Sequence, residues 1–246
     1  MTVAVSPEQD KLKRIAAARA VEEVEDGMVI GLGSGSTAGF AIEALAARVA
    51  RGLRITAIPT SERTAAVAQR FGVPLTSFAE QRRIDLTIDG ADEVERDTLH
   101  LIKGLGGALL REKIVAAASA RMIVVVDESK LVDRLGSHLS LPVVIVRFEW
   151  QTALDRLTAA GMVPKLRTVG REPFVTDDGH CVADCTVIDI PDPAALESQL
   201  TRLIGVVESG LFIGLASKVI VGSVDGVTTL EKRPIAKSIQ VARSNE

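Results

Sequence analysis

Along the first half of the chain, short apolar runs alternate with longer segments of mixed polarity. Four runs have the length of buried strands and are bounded by turn residues: Met28–Leu32, Leu53–Ile58, Leu86–Ile88 and Met122–Val126. Three segments carry apolar residues at helical spacing: Leu12–Val24, Thr37–Arg51 and Leu109–Ala120. Ser6 and Ser61 are suited to begin helices, the first before Pro7-Glu8 and the second before Glu62. Strands that alternate with helices in this way predict a mostly parallel sheet covered on both faces.

The pattern changes after about Leu135. Four features follow in order: a strand at Val143–Val146, a helix at Glu149–Ala160, a hairpin turn at Asp178-Gly179 and a helix start at Asp192-Pro193. The tail from about Glu208 is apolar again, has a turn at Asp225-Gly226, and is expected to return to the first sheet. The sequence therefore predicts an α/β fold. A Rossmann-like domain would comprise 1–135 and 208–246, and a smaller α+β, ferredoxin-like domain would comprise 136–207.

Composition narrows the possible partners. The 246 residues are 47% hydrophobic, enough for a substantial core, and the net charge is −3. Without a basic excess we expect no nucleic-acid partner. The longest charge-free window, 27–42, contains five glycines and is too short to span a bilayer, so we expect no membrane contact. The first residues lack the features of a signal peptide, which predicts a cytoplasmic protein.

Three residues separate Cys181 from Cys185, and His180 directly precedes Cys181. Such a cluster is either part of a metal site or a pair of half-buried free thiols on a strand. Three ligands are fewer than a structural zinc site requires, and free cysteine is commonly a small buried hydrophobe. We therefore expect free thiols and no metal.

The first candidate for chemistry is the loop Gly31-Leu32-Gly33-Ser34-Gly35-Ser36-Thr37, which follows a strand and opens a helix. Glycines allow main-chain N–H groups to approach an anion, and a helix N-terminus favours negative charge. The loop is therefore a candidate phosphate cradle, although a tight turn without a ligand has a similar pattern. It also fits a dinucleotide fingerprint, but the next strand ends Ile58-Pro59-Thr60 without the acidic residue which that reading requires. We expect no nicotinamide cofactor.

Two further motifs follow predicted strands or glycine-rich turns. Asp89-Gly90-Ala91-Asp92-Glu93 offers carboxylates for sugar hydroxyls or proton transfer, or forms a solvated acidic turn. Lys103-Gly104-Leu105-Gly106-Gly107-Ala108-Leu109-Leu110-Arg111-Glu112-Lys113 combines a lysine suited to an oxyanion with a carboxylate suited to act as base. An isolated Arg-Glu-Lys triplet is more often a set of surface ion pairs. A weaker fourth element is Asp127-Glu128-Ser129-Lys130.

In this order, the four elements resemble those of the type A ribose-5-phosphate isomerase family. The resemblance extends to Lys11-Leu12-Lys13 and to the Val224-Asp225-Gly226-Val227 turn, and it covers nearly the whole chain. It departs from the family at Leu105, where glycine is usual. If the position needs a positive φ, leucine adds strain there.

The resemblance implies a role for each residue. Substrate contacts would come from Lys13, Ser34, Gly35, Ser36, Thr37, Asp89, Gly90, Ala91, Asp92, Lys103, Gly104, Leu105, Gly106 and Lys130. The Ser34–Thr37 loop would bind the phosphate, with charge from Lys13 and Lys130, and the segment from Asp89 to Asp92 would contact the sugar end and assist ring opening. Lys103 would stabilise an enediolate, and Glu112 would be the base.

The implied reaction interconverts D-ribose 5-phosphate and D-ribulose 5-phosphate in the non-oxidative pentose phosphate pathway. It needs one base and one cation for the enediolate, so we expect no cofactor. The resemblance also implies a homodimer or a pair of dimers. Two alternatives stay open at this point, an amino-sugar phosphate isomerase-deaminase and a non-catalytic sugar-phosphate sensor. We expect no DNA-binding segment, since the catalytic-looking domain starts almost at Met1, and this expectation weighs against the sensor. The occurrence of Lys103 together with Glu112 weighs against it as well.

Overall fold

The structure is a computed structural model that describes residues 7–187 and 190–232, so the proposed cap Ser6 lies outside the described residues. Within these ranges the helices are α1 (Pro7–Val21), α2 (Ser36–Val49), α3 (Glu62–Arg70), α4 (Leu109–Ala117), α5 (Trp150–Ala159) and α6 (Pro193–Leu200). The strands are β1 (Val29–Leu32), β2 (Thr56–Pro59), β3 (Ile84–Asp89), β4 (Glu93–Glu95), β5 (Leu101–Ile102), β6 (Ser119–Asp127), β7 (Leu131–Val132), β8 (Leu141–Ile145), β9 (Val163–Leu166), β10 (Thr168–Val169), β11 (Glu172–Pro173), β12 (Cys181–Thr186), β13 (Val206–Ser209), β14 (Leu211–Phe212), β15 (Lys218–Ser223) and β16 (Gly226–Glu231).

The central sheet has six strands in the order β16-β15-β6-β3-β1-β2. The five from β15 to β2 are parallel, and β16 is antiparallel to β15. The predicted turn at Asp225-Gly226 joins β15 to β16, and Ser61 caps α3 as predicted by accepting the N–H of Thr64. This mostly parallel arrangement confirms the predicted α/β class.

Both faces of this sheet are covered by helices, which explains the long apolar run of an inner strand such as β6. Along β6, Ile123 and Val125 pack into a core with residues of α1, α2 and α3. The intervening Val124 and Val126 point to the opposite face and pack with Leu109 of α4. Since successive side chains of a strand alternate between faces, a strand buried on both sides requires apolar residues at every position.

The second sheet is antiparallel, in the order β13-β8-β12-β9, and α5 and α6 belong to the same unit. The chain order β8-α5-β9-β12-α6-β13 is the ferredoxin-like arrangement that was predicted. Asp192 caps α6 through the N–H of Ala195, and Asp178-Gly179 forms the expected hairpin turn, in which Thr176 accepts the N–H of Gly179. The boundaries at 136 and 207 stay a prediction.

The structure differs from the sequence-based expectation at several points, among them the start of β2, which begins at Thr56 rather than Leu53. The helix predicted to reach Ala120 ends at Ala117, and Ser119 begins β6 because it pairs with Ile84, so sheet pairing overrides helix propensity. A further sheet, β14-β5-β4-β7, was not predicted, since strands of two or three residues show no periodicity. Cys181 and Cys185 are free, as expected, but fully buried rather than half-buried, and burial raises the pKa of Cys185 to about 12.

Among the described residues, no helix is both long and apolar enough to cross a membrane.

Candidate active site

A cleft of about 740 Å³ lies where β1, β3 and β6 end and the second sheet approaches them. Ligands of open α/β sheets bind at this end of the strands. All but one of the predicted site residues line it: Lys13, Ser34, Gly35, Ser36, Thr37, Gly90, Ala91, Asp92, Lys103, Gly104, Leu105, Gly106, Glu112 and Lys130. The exception, Asp89, is fully buried and contacts the cleft-lining Lys103.

The loop after β1 brings the N-terminus of α2 to the cleft. Gly35 precedes α2 with a φ of 91°, a conformation that favours glycine, and it has no side chain to cap the helix. The first N–H groups of α2 are thus available to an anion. Gly33 must be glycine for a different reason, because a Cβ there would lie 2.0 Å from Oδ1 of Asp89.

The Ser34 hydroxyl lies in a cluster of hydroxyl groups, 2.9 Å from Thr60, 2.8 Å from Ser61 and 3.0 Å from Thr64. This cluster occupies the tip of β2, the place where a dinucleotide-binding protein would need a carboxylate. These hydrogen bonds hold the loop after β1 in place. Ser34 therefore lines the cleft, but its hydroxyl is bound to protein side chains.

Positive charge is present beside this loop. Lys13 on α1 is 6% exposed, and its Nζ lies 3.8 Å from Oδ2 of Asp127, the last residue of β6. Lys130, in a short 3₁₀ helix after β6, lines the same cleft. Both lysines and the α2 N-terminus favour an anionic group here.

A buried cluster of charged side chains forms the other part of the site. Nζ of Lys103 lies 3.0 Å from Oδ2 of Asp89 and 3.3 Å from Oε2 of Glu112, and it donates to the Gly90 carbonyl at 2.7 Å. Lys103 is 3% exposed and Glu112 is 5% exposed. Asp89 is therefore not part of a solvated acidic turn, since one ammonium group is shared by two buried carboxyls.

This burial changes the acidity of the cluster. Burial, and next the charge of Asp89, raise the pKa of Glu112 to about 8. Burial also raises the pKa of Asp89 above its ordinary value. For Lys103, burial disfavours the charged form, but Asp89 and Glu112 outweigh it and hold the pKa of the ammonium group above its usual range. The site thus keeps a cation beside a carboxyl that titrates close to neutral pH.

The triplet Arg111-Glu112-Lys113 does not form the mutual surface ion pairs considered above. Arg111 binds Asp178 at 2.8 Å, Lys113 binds Glu197 at 2.9 Å, and Glu112 turns inward to Lys103. Both flanking residues therefore bind the segment that contributes the second sheet, and they hold α4 in register on either side of Glu112.

Leu105 does not have the strained backbone that its departure from glycine suggested. Leu99 and Glu149 are the non-glycine residues with positive φ in the described ranges, so Leu105 has an ordinary conformation. Its N–H donates to Oδ2 of Asp92 at 2.9 Å. Leucine is therefore accommodated here, and the residue is 45% exposed.

The sequence reasoning missed several residues that line the cleft, namely Arg167, Asp184, Asp127, Ser129, Leu139, Val126 and Gln9. Asp127 and Ser129 belong to an element that had been noticed, but only its lysine was assigned a role. Arg167 and Asp184 come from the second sheet, and nothing in their local pattern distinguishes them from ordinary strand residues. No three His, Cys, Asp or Glu residues are grouped to hold a metal ion in the part of the chain that the structure describes.

Comparison with known proteins gives consistent results. The profile of the family described as ribose 5-phosphate isomerase A (phosphoriboisomerase A) matches residues 56–226. Ribose-5-phosphate isomerase A of Gloeobacter violaceus is 57% identical over 221 residues, covering 90% of this chain and 96% of that protein. The structure of ribose 5-phosphate isomerase A from Methanocaldococcus jannaschii is 39% identical with a TM-score of 0.87, covering 91% of this chain and 100% of that one. A D-ribose-5-phosphate isomerase solved in complex with phospho-erythronic acid is 37% identical with a TM-score of 0.87, covering 91% and 99%.

Proposed function

Because the chain belongs to the ribose 5-phosphate isomerase A family, we propose that the cleft is where it interconverts ribose 5-phosphate and ribulose 5-phosphate. The activity follows from the family, so the chain is an aldose–ketose isomerase acting on these two sugar phosphates. One observation carries the assignment of roles within the cleft, namely Lys103 buried between Asp89 and Glu112.

The phosphate would bind at the end of the cleft formed by Gly35, Ser36, Thr37, Lys13 and Lys130. An uncapped helix N-terminus and two ammonium groups together favour a dianion there. The phosphate is remote from the carbons that react, so its binding energy serves to orient them. A related structure that contains phospho-erythronic acid supports a ligand with a phosphate group.

At the other end, Glu112 would act as the base. In the open-chain aldose, its carboxylate takes the proton from C2 while the C1 carbonyl oxygen gains negative charge, which gives an enediolate. Returning the proton to C1 completes the new C–H bond. The hydroxyl proton passes from O2 to O1, so the carbonyl group has moved from C1 to C2. Lys103 stabilises the negative charge on the oxygens, and Asp89 holds Lys103 in place through their ion pair. In the segment from Asp89 to Asp92, the cleft-lining Asp92 assists ring opening of the substrate.

The electrostatics of the cluster suit these roles. A base is most effective when its pKa lies near the working pH, and burial moves Glu112 in that direction. Lys103 retains its proton and therefore its positive charge, as an oxyanion partner must. None of these steps requires a redox cofactor or a metal ion.

The proposal is tested with purified protein and ribose 5-phosphate, without added cofactor or metal, by following the formation of ribulose 5-phosphate. Glucosamine 6-phosphate is the matched control substrate, and we expect no ammonia release from it. Turnover that needs an added cofactor, or ammonia release at a comparable rate, would contradict the proposal.

We extend the proposal to the protein's setting. The two buried free thiols suit a reducing compartment such as the cytoplasm. We carry forward the homodimer, or pair of dimers, as the expected assembly, and light scattering coupled to size exclusion measures it. A monomeric mass at working concentration would contradict it.

A further inference from the structure

One side chain from the second sheet reaches into the glycine-rich loop that follows Lys103. Arg167 comes directly after β9, and its Nη1 donates to the carbonyl oxygens of Gly104 and Leu105, each at 3.0 Å. Arg167 also lines the cleft. It therefore connects the ferredoxin-like unit to the loop beside the buried cluster.

The guanidinium group is itself held in place. Its Nε donates to Asp184 on β12 at 2.9 Å, and Nη2 binds the second oxygen of the same carboxylate. The Phe174 ring lies 5.7 Å from the guanidinium carbon and occupies the space a Cβ on Gly107 would need. A planar guanidinium group bound to a carboxylate on one side and to two carbonyls on the other is held in a single orientation.

Fixing these two carbonyls fixes the peptide planes to which they belong. In a trans peptide the C=O and the following N–H point in opposite directions. With the Gly104 carbonyl on Arg167, the N–H of Leu105 points to Asp92, to which it donates at 2.9 Å. With the Leu105 carbonyl on Arg167, the N–H of the cleft-lining Gly106 is directed away from the guanidinium.

We infer that Arg167 is a positioning residue for the isomerisation: through the two carbonyls it orients the peptide planes after Lys103, so that the loop and Lys103 meet the reacting carbons in one geometry. The inference rests on the proposed function of the cleft. It differs from a purely structural role, in which Arg167 only fastens the ferredoxin-like unit to the central sheet. Misplacement of reacting groups lowers turnover, whereas loss of a fastening lowers stability.

The test uses the full chain with Arg167→Lys and Arg167→Met, and measures kcat, KM, inhibition by inorganic phosphate, and Tm. Lysine keeps the positive charge but cannot bind Asp184 and the two carbonyls at the same time, and methionine has no hydrogen-bond donor. Both variants should therefore lose at least about tenfold in kcat. Inhibition by phosphate should change by no more than about twofold, because the phosphate is assigned to Lys13, Lys130 and the α2 N-terminus and not to the loop that Arg167 binds. Arg48→Met is the matched control, since Arg48 also donates to a carbonyl of another element, that of Val21, outside the cleft. It should lower Tm and leave kcat unchanged.

Each remaining outcome decides the matter. The inference is wrong if kcat of the Arg167 variants stays within about twofold of the parent while Tm falls as in Arg48→Met. It is also wrong if Arg167→Lys has normal kcat. A loss of phosphate inhibition in the Arg167 variants as large as their loss of kcat would contradict it too. If the Arg167 variants do not fold, Asp184→Asn takes their place, because it weakens the ion pair that holds Arg167. An unchanged kcat of Asp184→Asn overturns the inference. Glu112→Gln is assayed alongside, since retained turnover in that variant contradicts the proposed function itself.

Discussion

Replacing Glu112 by glutamine separates a catalytic base from a structural ion pair. The substitution preserves size and much of the hydrogen bonding but removes basicity. General-base catalysis typically contributes ~10²–10⁴-fold, so kcat should fall at least about a hundredfold while KM changes little. An ion-pair residue with no catalytic role would leave kcat intact.

The stability of this variant should change in a direction set by pH. Burial, then Asp89, raise the pKa of Glu112 from 4.5 to about 8. A carboxyl with a raised pKa in the folded state favours folding while protonated. That contribution is fully present below the unfolded-state value and is lost as pH rises through the folded-state value. Glutamine resembles the protonated form at every pH. We therefore expect nearly equal stability at about pH 4, and a gain for Glu112→Gln of about 1–4 kcal/mol at about pH 9.

The assay combines turnover of ribose 5-phosphate with urea unfolding at both pH values. Glu93→Gln serves as the control, because Glu93 is equally buried but its carboxylate accepts the N–H groups of Gly136, His138 and Leu139. That variant loses an acceptor and should be less stable at both pH values. Near-normal turnover of Glu112→Gln, or a loss of stability at the higher pH, would refute the reasoning.

Three further predictions concern pH, phosphate and metals. Only ionised Glu112 accepts a proton, so kcat/KM should rise with pH up to about 8 and then level, and a profile that falls over this range would contradict the assignment. Lys13→Ala should raise KM for ribose 5-phosphate at least about tenfold, and ribose itself should be a poor substrate; the exposed Lys11→Ala is the control, and comparable kcat/KM for ribose and its phosphate would remove the phosphate assignment. Activity should survive exhaustive chelation, and loss with EDTA that a divalent ion restores would overturn cofactor independence.

Much of the fold was predictable because burial leaves a local pattern. Inner strands of the central sheet such as β1 and β6 are buried on both faces and so contain continuous apolar runs, and the caps Ser61 and Asp192 mark helix starts. The pattern is silent where elements are very short, as in β4, β5, β7 and β14. The pattern gives the wrong element where pairing with a distant strand overrides local helix propensity. Ser119 continues a helical pattern in the sequence but pairs with Ile84 in the sheet.

The site divides in the same way. The loops after β1, β3 and β6 carry their chemistry in consecutive residues, so spacing alone places them at one edge of the sheet. The inward orientation of Glu112 depends on partners for Arg111 and Lys113 that lie far along the chain, at Asp178 and Glu197. Arg167 enters the cleft only through packing between the two sheets, and no single-sequence pattern reports such a contact.

The parallel pairing of β15 with β6 has a consequence for synthesis of the protein. On the ribosome, β6 emerges long before its neighbour, because residues 128–217 must be made first. Until then the main-chain N–H and C=O groups along one edge of β6 are unpaired, in a strand with a continuous apolar run from Met122 to Val126, which makes this edge a template for association with other chains. Pairing over so long a separation is also intrinsically slow. Nascent chains should therefore depend on chaperones during this interval, and messages truncated before codon 218 should yield aggregated rather than merely inactive product.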